Sequence, residues 1–287
     1  MPAVPPLSRE KGLPWQAVLQ SPLPRSYTNF VGQWMLRWID ASHKMLAFAL
    51  ITLGVLVTKF KTASAVVHPL IFEQIARAGL GMLPMISFLA AALGFVVIGQ
   101  TVALLTQVGA QDLIGTVMVT VVVRELGPLI AAMVVLVRVG TATVIELGMT
   151  RALGEVEALE ALGIDPIHYL VVPRVLGMAI GVLTLSSYLI LGAVFSGYLF
   201  AFVQDVPLTP GDYFRQLALA LTWQDFALLA LKTTAFGGIL AVVTCFHGLA
   251  QPLLLAEVST ATTRALVTSL IACVALDALF IVVYLLM

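Results

Sequence analysis

The chain has 287 residues, 60% of them hydrophobic and 10% charged, with a mean hydropathy of +1.04. Soluble domains run near 45–50% apolar and about 25% charged, so this composition excludes a soluble enzyme, a disordered chain and a nucleic-acid binder. Fifteen Lys and Arg balance fifteen Asp and Glu, so no net field draws an acidic partner, and an all-α integral membrane protein remains.

Residues 1–42 are rich in proline and tryptophan and lack a continuous apolar stretch. They read as a cytoplasmic N-terminal segment, not a signal peptide. In residues 43–61 the apolar run Met45–Val57 lies between His43 and Lys44 on one side and Lys59 and Lys61 on the other. It is too short to span, and cations at both ends suit an interfacial helix in the headgroup plane. The alternative is a short, tilted sixth span.

Residues 62–287 read as a five-span domain. A span needs about 20 apolar residues, and nearly charge-free windows place spans at about 80–105, 113–137, 175–203, 226–247 and 265–287. Pro128 removes the bond to the carbonyl of Arg124 and should kink span two. Gly177 and Gly181 in span three, and Gly237-Gly238 in span four, allow close helix approach. Cys245 and Cys273 lie in apolar runs and read as buried thiols. No internal repeat is visible, which counts against the inverted-repeat transporters.

Lys and Arg favour the cytoplasmic side. Arg9, Lys11, Arg25, Arg37, Lys44, Lys59, Lys61 and Arg77 precede span one, and the loop after it has no cation. Arg138 flanks the loop after span two, which contains Arg151 and Arg174, and Arg264 ends the loop after span four. The N-terminus is therefore expected in the cytoplasm and the C-terminus on the far side.

Four charges sit inside spans: Arg124, Glu125, Lys232 and Asp277. From Arg138 back to Arg124 is roughly 21 Å of helix, and from Arg264 on to Asp277 roughly 20 Å. Lys232, roughly 9 Å from the outer edge at Phe226, falls at the same level in a core about 30 Å thick. Buried charges persist only when paired, so one network of two cations and two anions is expected. It reads as a switchable lock or a headgroup contact, or else as a static staple. A proton relay has less support, since Leu126 to Val137 is apolar, Gly or Pro throughout.

Between spans two and three, Leu153, Val156, Leu159 and Leu162 recur at helical spacing, with Glu155, Glu157 and Glu160 as polar members. Gly163 and Pro166 end the pattern. Such a helix could take force from a motor protein. The alternative, a helix resting on lipid, is opposed by its acidity beside an anionic inner leaflet.

The runs Arg124-Glu-Leu-Gly-Pro128, Arg138-Val-Gly140, Glu146-Leu-Gly148, Glu157-Ala-Leu-Glu160, Gly163-Ile-Asp-Pro166 and Pro173-Arg174 resemble the MlaE/YrbE permeases, membrane subunits of ABC-type intermembrane lipid transporters. Ala261-Thr-Thr-Arg264 and Leu276-Asp277 are also similar, and the resemblance runs from about Phe60 to the C-terminus. It implies a homodimeric, multi-pass permease of the bacterial inner membrane with an N-terminal interfacial helix and five spans. It implies that residues 151–165 form a coupling helix, with Arg151, Glu155, Leu159, Glu160, Leu162 and Asp165 docking a cytoplasmic ATPase. ATP and magnesium would be bound by that partner, with no cofactor or metal in this chain. Phospholipid would pass to or from a periplasmic MCE-domain protein, maintaining outer-membrane asymmetry; whether a small cytoplasmic regulatory subunit takes part is not fixed by the sequence. Glu125, Lys232 and Asp277 fall on the family's intramembrane charged positions. Arg264 is a candidate lipid contact, although Thr260 stands where some relatives carry an Arg.

The chain has no phosphate-binding G-x-x-x-x-G-K-[ST] loop, no H-E-x-x-H and no G-x-S-x-G, and its four His lack metal-ligand spacing. Catalysis in this chain is not expected. The competing function is an ion-coupled secondary transporter using the buried carboxylates; a membrane scaffold would leave those charges without use.

Overall fold

The computed structural model describes residues 42–58, 64–110, 113–203, 209–249 and 257–286. The expected N-terminal segment, apart from Ser42, and the Lys59–Lys61 end of the expected interfacial helix lie outside the described residues. The chain forms two units, Met1–Ala47 and Phe48–Met287. Every regular element among the described residues is helical.

Helix α1 (Ser42–Thr58) is shorter than the helices able to cross a membrane. From Phe48 onward it belongs to the larger unit. Leu50, Ile51, Leu53 and Val57 are exposed on it, while the ring of Phe48 meets Phe246 edge-on at 5.7 Å. Helix α2 (Ser64–Ala78) breaks at Gly79, and a 3-10 turn, Leu80–Met82, leads to α3, residues 83–107. Pro84 stands in the first turn of α3, where its missing N–H costs nothing.

Five stretches are long and apolar enough to cross a membrane: Pro69–Gln107, within α2 and α3, then α4 (Ile114–Ala152), α6 (Ile167–Val203), α8 (Trp223–Leu249) and α9 (Val258–Leu286). They begin or end beyond the charge-free windows. The first two have 39 residues each, about 58 Å of helix at 1.5 Å per residue, against a hydrocarbon core of about 30 Å. Charge marks where hydrocarbon ends, whereas a helix ends where its backbone bonds end. Hence α4 runs through Arg138 and Glu146 to Ala152.

Helix α6 packs against α2, α3, α4 and α8. Small residues permit this closeness. A Cβ added at Gly177 would lie 2.5 Å from the Gln74 side chain, and one at Gly181 would lie 2.8 Å from Ala78. On α8, a Cβ at Gly237 would come within 2.5 Å of the Ala179 backbone. Gly238 meets nothing within 4 Å, so only the first of that pair serves packing.

Between α4 and α6 lies α5 (Glu155–Ala161), shorter than the expected 151–165. Gly154 at φ +77° and Gly163 at φ +75° delimit it, both in the left-handed region that favours glycine. Arg151 therefore belongs to the last turn of α4. At the opposite end of the bundle, α7 (Pro210–Ala220) occupies what reads in the sequence as a loop. Thr209 caps it, accepting the Asp212 N–H at 3.2 Å, and Pro210 stands at its first turn. The buried Tyr213 hydroxyl donates to the Val194 carbonyl of α6 at 3.0 Å.

Candidate functional site

The site begins with a defect in α4. Proline has no N–H, so Pro128 leaves the Arg124 carbonyl without its helical donor. The turns just before it, Val119–Leu126, are π-helical, an insertion that often marks functional positions. Lys232 of α8 supplies the missing donor, its Nζ lying 2.8 Å from the Arg124 carbonyl oxygen. The kink expected from Pro128 thus becomes a wide turn with a lysine seated on it.

Lys232 is wholly buried. Its ammonium lies 2.8 Å from Glu125 Oε2 of α4 and 2.7 Å from Asp277 Oδ1 of α9. The Arg124 carbonyl and Glu125 Oε2 accept hydrogen bonds from the ammonium, and Asp277 Oδ1 forms an ion pair with it. Three of the four charges read from the sequence therefore meet, and three helices are joined at one nitrogen. The two carboxylates are largely enclosed, at 27% and 15% exposure.

The fourth departs from expectation. The Arg124 side chain turns away from this cluster and pairs with Asp225, its Nε 2.7 Å from Oδ1. The guanidinium also lies over the Tyr284 ring of α9, 5.1 Å from the centroid, at cation–π distance. Asp225 reads in the sequence as an outer-loop anion. It occupies the first turn of α8, where Oδ2 accepts from the Thr222 N–H at 2.9 Å and its hydroxyl at 2.8 Å. This is a capping arrangement whose spare oxygen holds the arginine. The buried network therefore has two cations and three anions, in two linked layers.

The residues expected to dock a motor are divided by the structure. Glu155 and Glu160 are exposed, Leu159 is half-buried and Leu162 is 75% exposed, while Val156 anchors α5 at 2% exposure. Leu153 and Ile164 add exposed apolar surface beside them. Arg151 pairs with Glu157 across the Gly154 turn at 3.3 Å. The Asp165 carboxylate accepts the Ile167 N–H at 3.1 Å and so supports the start of α6. Arg264 is exposed on α9. A shallow hollow of about 420 Å³ beside it is lined by Ile145, Met149, Val258, Ser259, Thr262 and Thr263.

A further ionic junction lies near α5. Glu146 of α4 joins Arg77 of α2 at 2.8 Å and Arg174 of α6 at 3.0 Å, and Glu73 joins the same Arg77 at 3.0 Å. These side chains are largely half-exposed, so each pair contributes little stability. Their geometry ties the helices on either side of α5 to α2. The sequence shows the i,i+4 pair Glu73–Arg77 but not the tertiary partners. Among the described residues, no three His, Cys, Asp or Glu converge as metal ligands.

Comparison with known proteins adds lineage. A model of the family described as Permease MlaE matches residues 71–283. A probable ABC transporter permease protein of Synechocystis sp. is 39% identical over 169 residues, covering 57% of this chain and 62% of that protein. Its counterpart in Rickettsia prowazekii is 31% identical over 223 residues, covering 73% and 83%. The Arabidopsis thaliana protein TRIGALACTOSYLDIACYLGLYCEROL 1, chloroplastic, is 30% identical over 201 residues, covering 69% and 57%. The match thus spans less than two thirds of the length of the first and third relatives.

Proposed function

The chain belongs to the MlaE permease family and is a multi-pass ABC transporter permease subunit, and from that premise we propose that its cargo is phospholipid. Two copies form the membrane unit. A separate cytoplasmic ATPase binds ATP and magnesium and docks on α5, and a periplasmic MCE-domain protein exchanges lipid with the dimer. The chain lies in a bacterial inner membrane, N-terminus in the cytoplasm and C-terminus in the periplasm. It has no catalytic role of its own, and a small cytoplasmic regulatory subunit joins the ATPase. The cargo maintains outer-membrane lipid asymmetry. In support of a lipid cargo, the Arabidopsis relative is named for a galactolipid.

The observation that carries this reading is the pairing of two features. A short helix anchored by Val156 projects Leu153, Leu162 and acidic side chains from one end of the bundle. A buried ammonium joins α4, α8 and α9 farther along the same helices. Static buried ion pairs are poor stabilisers, so a cluster of this size fits a lock between helices that shift during transport. Force applied at α5 enters α4 directly, and α4 carries Arg124 and Glu125.

The test is purification of the tagged chain from native membranes. Mass spectrometry is expected to find an ABC ATPase and an MCE-domain protein in stable association, with phospholipid bound. A chain that purifies alone and transports a solute down an ion gradient would establish the secondary-transporter reading instead.

A further inference from the structure

The structure leaves a charge to be accounted for. Arg124 and Asp225 neutralise each other. Lys232 carries one positive charge and touches two carboxylates. Among the described residues no further cation pairs with this group. Other titratable groups near the pair are Tyr284 and Cys273, both on α9 and neutral in their ordinary state at pH 7. Helix α6, which also packs on α4 and α8, has no charged residue between Val175 and Val203.

Hydrogen bonding gives the same count. The Lys232 ammonium donates to Glu125 Oε2 and to the Arg124 carbonyl, and pairs with Asp277 Oδ1 at 2.7 Å. One ammonium with three N–H groups cannot serve the Arg124 carbonyl and all four oxygens of the two carboxyls. Both carboxyl groups touch that one Nζ, at 2.8 and 2.7 Å, and so stand next to each other. Two ionised carboxylates have no hydrogen to place between them and repel; one added proton supplies the donor and removes the surplus charge. An uncompensated charge in a low-dielectric interior takes up a proton in preference to remaining ionised, and two carboxyls sharing a site hold one between them.

We propose that Glu125 and Asp277 share one proton at neutral pH and, with Lys232, form a proton-binding site inside the membrane. The ligand is the proton, received from water, and its binding converts the inner layer from net negative to neutral. The site follows from the chain's own residues and stands whatever the cargo.

The test is infrared spectroscopy of the full chain in lipid nanodiscs at pH 7, in H2O and D2O. Expected is the C=O stretch of a protonated carboxyl, shifted in D2O and equivalent to one group per chain in the difference between wild type and either Glu125→Gln or Asp277→Asn. Each variant leaves Lys232 facing one carboxylate, a neutral pair that needs no proton. A wild-type spectrum without this band overturns the proposal, and so does a band that persists in both variants. If either variant does not fold, wild type decides alone. The band must survive well above the ordinary carboxyl range near pH 4.3, and its disappearance by pH 5 overturns the proposal.

Discussion

Replacing Lys232 by Met removes the one nitrogen at which three helices meet. The side chain is wholly buried, and its three contacts lie at 2.7–2.8 Å. The variant leaves two enclosed carboxylates and a carbonyl that Pro128 already deprives of its helical donor. Breaking a buried ion pair on one side costs about 3–5 kcal/mol. Asp277→Leu is milder, because Glu125 still balances the lysine; losing one charged contact of this kind costs about 1.5–3 kcal/mol. The double variant removes the lysine and one of the two carboxylates it would have left unpaired, so that Glu125 alone lacks its partner. Its loss should therefore fall short of the sum of the single losses by about 1–3 kcal/mol, the range for residues in one network. The assay is a double-mutant cycle on unfolding in detergent, read with lipid transfer in the reconstituted complex. A lock predicts a double variant that is folded and dimeric yet transfers lipid poorly and hydrolyses ATP without coupling. Single losses that add within about 0.5 kcal/mol would refute the shared network.

Further outcomes follow from other contacts. Asp225→Ala should destabilise the chain by about 2–4 kcal/mol, since it strands Arg124 and removes a helix cap together; Asp212→Ala, in the exposed cap of α7, should cost no more than about 1 kcal/mol, and calorimetry compares them. Stability of the wild type should fall as pH rises above about 4.3, by about 1.4 kcal/mol per unit while the folded chain holds a proton that the unfolded chain has released. Glu125→Gln should flatten that slope, and a rising slope in wild type would contradict the shared proton. Leu159→Glu with Leu162→Glu should abolish co-purification with the ATPase while leaving the melting curve of the chain unchanged. Cysteines at Gln107 and Glu155, both exposed positions, should label from opposite sides of the membrane, with Gln107 periplasmic; Cys245 and Cys273 are buried and should not react.

Much of this architecture was legible because membranes impose simple rules. A charge in an apolar run is conspicuous, and a rise of 1.5 Å per residue puts Glu125, Lys232 and Asp277 at one level. The Gly177 and Gly181 spacing anticipated the close approach of α6 to α2. Other features depend on partners distant in sequence. Arg124 was expected to share the lysine's cluster, but a backbone carbonyl and a side chain of one residue can serve different layers, and no spacing rule separates them. Asp225 carried a usable signal, Thr222 three residues before it in a capping pattern, hidden because it sat at the edge of an apolar window. Helix α7 carried one too, in Thr209, Pro210 and Asp212. Asp165 before Pro166 also carried a turn signal, realised where its carboxylate accepts the Ile167 N–H. The π-helical turns of α4 and the bridging of Arg77 and Arg174 by Glu146 had no local signature, because both are settled by packing between helices.

The most direct test of the proposed function is lipid transfer by the purified complex. Liposomes containing the permease, its ATPase and its MCE-domain partner are loaded with labelled phospholipid and given an acceptor on the periplasmic side. Transfer is expected to require ATP, to require the ATPase, and to fail with Leu159→Glu and Leu162→Glu in the permease. Label that moves at the same rate without ATP, or a complex that hydrolyses ATP while moving no phospholipid, would contradict it.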